Sequence, residues 1–429
     1  MIVLPMKRIA LVTALWGPTL VAQPRIAGDW QMSHRQLSSV GYFMLHIDQN
    51  GDQIHGAFGP VKLTGTFRNG VIEATSDEHG RKGTLSATVK GDEMAGGGKD
   101  EEGPFTFTAR RPPATTVTPK SHQFTPVEFH RYFSGATPPA LHVNSGDTVE
   151  TSSIDAGGID ETGKRRTSGG NPLTGPFYID GAWPGDVIAV KLIRLRLNRS
   201  SAVSRGTIAF SALDPGYVRR AKLDFNYASD WKIDTDAGVA RLAAPTDRLK
   251  DFTVVLKPML GCIGVAPREE ESLRSGSLGS YGGNMDYNQF GEGVTIYLPV
   301  YHPGALLYLG DAHAVQGDGE LTGDALETSA TFSFSVEVLK NKFPIDIPGP
   351  RAENAQFRMA SGIAHSLPEA LQQATTNLAR WLEEDYKLTA NEAAVVLGTS
   401  IRYDIAEVVD GYVHIVAKIE KSTLARIKR

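Results

Sequence analysis

The chain has 429 residues, 41% hydrophobic and 21% charged, with a formal net charge of −4. That length predicts two or three domains, and the composition is that of a folded chain, which excludes a disordered one. Lys and Arg form no stripe, so nucleic acid is excluded as an expected partner; the single cysteine, Cys262, excludes an intrachain disulfide and a thiolate-rich zinc site.

At the N-terminus, Lys7 and Arg8 precede an apolar run over 9–21, with Gly17 and Pro18 near its end and Ala22 before Gln23. This reads as a signal peptide over residues 1–22, with Met6 a candidate start. The run is too short to span a bilayer. The expectation is an exported protein, periplasmic or extracellular. No later segment is long and apolar enough for a membrane helix.

Residues 28–110 read as a small antiparallel β domain. Phe43, Leu45 and Ile47 alternate with Met44, His46 and Asp48, the period of a half-buried strand. Asn50-Gly51, Asn69-Gly70 and Lys90-Gly91-Asp92 then punctuate runs at 63–67, 71–75, 83–90 and 105–110. Asn-Gly between alternating runs is a strong hairpin signal. A meander of this kind forms a small barrel or a sandwich. No His, Asp and Glu cluster at metal spacing in it. Residues 111–120 (RPPATTVTPK) read as a semi-rigid linker.

From 121 to about 339, strands alternate with glycine turns, and then the pattern changes. Leu371, Ala374, Leu378 and Leu382 recur at helical spacing over 367–386, with Pro368 suited to a first turn. Thr389 with Glu392 is a capping-box pattern and opens a second helix through Val396. Clear alternation over 412–419 predicts a last strand. Residues 121–429 therefore read as an α+β domain, β-rich and mostly antiparallel, with C-terminal helices.

Four segments of this domain resemble the acetamidase/formamidase family. The first is LHVNSGDTV at 141–149, followed by Asp155-Ala156. The second is NPLTGP at 171–176, running into GAWPGD at 181–186. The third is GCIGVAP at 261–267, then GGNMD at 282–286 and LPV at 298–300. The fourth is GAL at 304–306, then GDAHAVQGDGE at 310–320, ending at Glu327. The long 310–320 motif is specific, and its order after 282–286 strengthens it. The resemblance covers about 121–420. It implies hydrolysis of short linear amides, formamide- or acetamide-like, to a carboxylic acid and ammonia. The 28–110 domain lies outside it.

Amide hydrolysis needs an activated nucleophile, oxyanion stabilisation and a proton for the leaving amine. A side-chain nucleophile has weak support: Cys262 sits in an apolar run, and 276–279 matches the serine elbow only in shifted form. A divalent metal ion, zinc among the candidates, fits better. Asp311 and His313 are two apart, so a strand would point both to one face. Asp155 and Asp286 lie in glycine-rich turns and are candidates to complete the ligand set. Glu320 and Glu327 are candidates for the general base, Gln316 for an oxyanion donor, and Asn171 and Asn284 for substrate contacts. The structural alternative is that Asp311 and His313 bond to each other in a core, and that the aspartates cap turns. A different functional class also stays open: an exported small-molecule binding protein whose amidase-like site does not turn over. A symmetric homo-oligomer is the default expectation.

Overall fold

A computed structural model describes residues 25–113, 118–224, 227–340 and 349–428. The expected signal peptide, and 114–117 of the expected linker, lie outside the described residues. The chain divides into two compact units. One comprises the stretch up to Leu37 with Met44–Arg111; the other comprises Ser38–Phe43 and the chain from Pro112 onward.

In the first unit, eight strands from Gly28–Gln36 to Pro104–Arg110 form a closed antiparallel barrel in chain order, the first paired with the last. A barrel, rather than a sandwich, is therefore the arrangement. Closure leaves no unpaired edge. Asn69 and Gly70 join strands Val61–Arg68 and Val71–Glu78 with φ of 52° and 78°, the left-handed pair that a two-residue hairpin needs. Alternation does the rest. Along Pro104–Arg110, Phe105, Phe107 and Ala109 are buried while Thr106 and Thr108 are exposed. Met32, Ile47, Ile54, Phe67, Ile72 and Leu85 complete a buried apolar set. Each such large side chain stabilises the fold by about 1.5–3 kcal/mol through loss of water contact.

In the second unit the described strands form an eleven-stranded, a nine-stranded and a small two-stranded sheet. Phe177 and Leu309 of the first sheet and Val190 and Phe334 of the second belong to one apolar core. Pairing is antiparallel except where Leu141–Asn144 meets Leu173–Asp180 and Ser121–Gln123 meets Thr148–Ser153.

The helix Leu367–Tyr386 opens at Ser366, whose side chain accepts from the Glu369 amide, with Pro368 in the first turn. Its apolar face, Ala370, Ala374, Leu378 and Leu382, is buried against strands Phe357–Ala364 and Val413–Glu420. The capping box of Thr389 and Glu392 opens the second helix, Ala390–Ser400, which runs beyond the expected Val396. Strand Phe357–Ala364 escapes sequence reading because it is buried on nearly every residue, so its pattern does not alternate.

Candidate functional site

The site is built where strand Leu307–His313 runs beside strand Met259–Gly264. Every residue of both is buried, which is costly for an aspartate and a histidine unless they have partners. Asp311 and His313 do reach one place: His313 Nε2 lies 3.5 Å from Asp311 Oδ1. It also lies 3.2 Å from Glu327 Oε1 and 4.0 Å from Asp286 Oδ1. Glu320, 6% exposed, forms a second cluster with Asp286 and His313. In each triplet, Asp286–His313–Glu320 and Asp311–His313–Glu327, the potential ligand atoms lie within 4.8 Å of one another.

Local backbone geometry makes this convergence possible. Asn171, Asp286, Asp311 and Glu320 all have left-handed φ, at 50°, 37°, 57° and 46°. Such conformations cost of order 1–3 kcal/mol each in non-glycine residues and persist where surrounding structure enforces them. At Asp311 the irregularity interrupts an otherwise regular strand. Opposite stands Gly261, where a Cβ would fall 2.2 Å from Asp286 Oδ1, 2.8 Å from Asp311 Oδ2 and 3.2 Å from His313 Cε1. Only a residue without a side chain leaves that space.

His313 is held by its other nitrogen. Gln316 Nε2 donates to the carbonyls of Asp286 and Ala406, at 2.5 and 3.3 Å, which fixes the amide. Gln316 Oε1 then lies 3.0 Å from His313 Nδ1, so Nδ1–H is the donor and Nε2 faces the carboxylates. Both donors of Gln316, expected as an oxyanion donor, are occupied by these carbonyls, while its oxygen faces His313. Asn284 is also fully engaged. Its Nδ2 donates to Asp286 Oδ2 and Asp410 Oδ2, both at 2.5 Å. Its Oδ1 accepts from Asn171 Nδ2 at 3.0 Å and from the Cys262 thiol at 2.8 Å. Asn171 Nδ2 donates further to Asp311 Oδ2 at 3.0 Å. The side-chain donors of both asparagines, expected to contact substrate, are engaged within the protein.

Asp155 is elsewhere. Its Oδ2 accepts from Arg199 Nη2 at 2.7 Å and its Oδ1 from the Ile159 amide at 2.8 Å, both side chains of the pair being buried. Asp155, expected as a ligand, is thus paired with a cationic side chain and belongs to neither triplet. Two further buried or half-buried carboxylates, outside both triplets, were passed over by the sequence reading. Asp410, in the turn between strands Arg402–Glu407 and Val413–Glu420, reaches Asn284. Glu407, fully buried, accepts from the amides of Val409 and Asp410. The Val409-Asp410-Gly411 pattern looks like an ordinary hairpin turn, and no local cue marks it.

Crowding of like charges out of water dominates the electrostatics. Burial first, then Glu320 and Asp311, pushes the Asp286 carboxyl well above the usual range. Burial and the Glu327 and Asp311 charges do the same to Glu320, against the pull of His313. Glu327 is pushed up to about 7 by burial, His313 again opposing. Burial alone would lower His313, but Glu327 and Asp311 outweigh it and hold it well above its ordinary value. Burial also raises Asp410 to about 6. Three oxygens of the cluster, Asp286 Oδ1, Asp311 Oδ1 and Glu327 Oε2, are buried with no hydrogen-bond partner. Carboxylate oxygens and one imidazole nitrogen are a donor set that a divalent cation satisfies. Among the described residues, no helix is long and apolar enough to cross a membrane.

Residues 269–412 match the model of the Acetamidase/Formamidase family. A formamidase-like protein of Schizosaccharomyces pombe is 26% identical over 228 residues, 42% of this chain and 56% of that protein. The chain thus spans about half the length of that curated relative. The crystal structure of an acetamidase from Yersinia enterocolitica superposes with a TM-score of 0.61 and 29% identity, over 72% of this chain and 94% of that one. An acetamidase from Bacillus halodurans gives a TM-score of 0.60 and 26% identity, over 72% of this chain and 100% of that one.

Proposed function

With the C-terminal unit related to the acetamidase/formamidase family in both sequence and fold, we propose that the protein hydrolyses the C–N bond of short linear amides. The products are a carboxylic acid and ammonia, and a divalent cation, zinc among the candidates, is held at His313. The observation that carries this is the gathering of Asp286 Oδ1, Asp311 Oδ1 and Glu327 Oε1 around one imidazole nitrogen, the two aspartate oxygens being buried with no hydrogen-bond partner. A buried carboxylate without a partner is strongly unfavourable, and a cation removes that cost.

When bound, the ion supplies Lewis acidity toward the amide oxygen and toward water. The protein's residues do the remainder. Gln316 keeps the proton on His313 Nδ1 and frees Nε2 as a donor atom. Because both triplets share His313, either arrangement of ligands leaves one glutamate over. With Asp286, His313 and Glu320 as ligands, Glu327 takes the proton from water and returns it to the departing amine. With Asp311, His313 and Glu327 as ligands, Glu320 takes that role. Burial raises both carboxyls, Glu327 to about 7, and a group titrating near neutral pH suits proton transfer in both directions.

Ammonia release from formamide and acetamide by the full chain, before and after chelation, tests the reading. Turnover that is lost on chelation and restored by metal supports it, with His313→Ala inactive but folded. Turnover indifferent to chelation removes the cation and keeps the amidase. Bound metal without turnover on either amide moves the protein toward the binding role. Export and a homo-oligomer belong to the same proposal; N-terminal sequencing of the mature protein and light scattering test them.

A further inference from the structure

Asp286 and Asp311 each bring Oδ1 within 4.0 Å of His313 Nε2. The other oxygen, Oδ2 in both, is the one that an asparagine holds: Asn284 on Asp286 and Asn171 on Asp311. The two asparagines are joined to each other, Asn171 Nδ2 to Asn284 Oδ1. An asparagine amide offers two hydrogens and two lone pairs, and Asn284 uses all four. Flipping that amide would set its oxygen against the carboxylates of Asp286 and Asp410, so only one orientation is tolerable. Asp410 takes the second hydrogen. It comes from a turn 124 residues later than Asp286 (410 − 286), in the sheet opposite. Unlike the fully buried site carboxylates it is partly exposed, and no triplet includes it.

We propose that Asp410, Asn284 and Asn171 form a brace that sets the carboxylate planes of Asp286 and Asp311 so that their Oδ1 atoms converge on the cation. Asp410 is its anchor and a positioning residue for the reaction. This rests on the metal-dependent reading given above. A carboxylate with one oxygen pinned by a short hydrogen bond loses the freedom to rotate about its last bond. Pinning both carboxylates lowers the entropy cost of gathering ligands. A carboxylate acceptor at Asp410 gives Asn284 a charge-assisted bond, stronger than a neutral one. The brace also ties the C-terminal hairpin, which contains no ligand, to the ligand set.

The test uses the full-length protein with Asp410→Ala and Asp410→Asn. Metal affinity is read by competition with a chromogenic chelator, kcat and KM by ammonia release, and the unfolding midpoint on chelated protein. Removing an outer partner of a metal ligand typically weakens metal binding or activity by about 10- to 100-fold. Asp410→Ala is expected to fall in that range. Asp410→Asn, which keeps an oxygen acceptor for Asn284, is expected to recover most of the loss. The midpoint of the metal-free protein stays at the wild-type value in both, whereas a merely structural contact would lower it. Wild-type metal affinity and kcat in Asp410→Ala overturn the proposal, as does an equal loss in both variants. If the wild type turns over amides without metal, the metal reading fails instead. The brace is then judged on kcat: a tenfold fall in Asp410→Ala rescued by Asp410→Asn supports it, and an unchanged kcat overturns it. A wild type with neither metal nor turnover overturns both.

Discussion

The barrel interior and the pocket at Gly261 are both sealed inside β structure, and they solve opposite problems. In the barrel, Met32, Ile47, Ile54, Phe67 and Leu85 bury only hydrocarbon and aromatic surface, and every buried atom adds to stability. Around Gly261, Asp286, Asp311, Glu320 and Glu327 are buried together with His313. Neighbouring carboxylates raise the cost at Asp286 and Glu320, against the pull of His313, and three of the cluster's oxygens have no partner. The backbone there is held in left-handed conformations at four side-chain-bearing residues, Asn171, Asp286, Asp311 and Glu320. A fold keeps such a place only if something outside the ladder of contacts repays it, and on the function proposed above a bound cation with a reaction to run would do so.

The largest effect expected at the site comes from Gly261→Ala. Its Cβ would sit inside the space shared by Asp286, Asp311 and His313, so metal and turnover are lost together while far-UV circular dichroism is kept. A variant that still binds metal at wild-type affinity would show that the space is not the binding place. In the barrel, Phe67→Ala removes a fully buried ring and is expected to cost about 3–5 kcal/mol in denaturant unfolding. Metal content stays unchanged, and a parallel loss of metal would erase the contrast between the two interiors. Arg199→Ala leaves Asp155 a buried charge without its partner, at about 3–5 kcal/mol. Metal content again stays unchanged; loss of metal would return Asp155 to the ligand set.

Glu320→Gln has the opposite sign. In chelated protein it relieves a buried carboxyl whose pKa is raised chiefly by burial. A folded-state carboxyl raised above its unfolded value stabilises below that value, and the stability is lost as pH rises toward the folded pKa. The chelated wild type is therefore expected to lose midpoint as pH climbs from the ordinary glutamate range, and Glu320→Gln to lose less. At neutral pH the gain is about 1 kcal/mol, or about 2–4 °C. Turnover falls at the same time. An unchanged midpoint with normal turnover would remove Glu320 from the site. The smallest effect belongs to Thr389→Ala, which breaks the capping box at about 1 kcal/mol, read by thermal unfolding.

What the sequence discloses follows the range of the physics. The hairpin at Asn69-Gly70 is legible because two adjacent residues carry the left-handed φ it needs. The helix Leu367–Tyr386 is legible because its apolar period and its Ser366 cap lie within one segment. The pairing of Asp311 with His313 could be anticipated from spacing alone, although the left-handed φ at Asp311 could not. Asp155 and Asp286 look alike in sequence, a carboxylate in a glycine-rich turn, and only Arg199 distinguishes them, 44 residues after Asp155 (199 − 155). The place of Gln316 is within reach of sequence reading, since it stands three positions after the imidazole it faces. Asp410 was not, because its meaning depends on Asn284 in another sheet.

The central claim is that these carboxylates and His313 hold a cation that the reaction uses. Elemental analysis of the purified protein, run beside ammonia release through chelation and metal return, tests it most directly. The account predicts about one divalent ion per chain, with activity that leaves and returns with it, as expected of an ion that acts in the reaction. Full amide turnover in protein shown to be free of metal would contradict it.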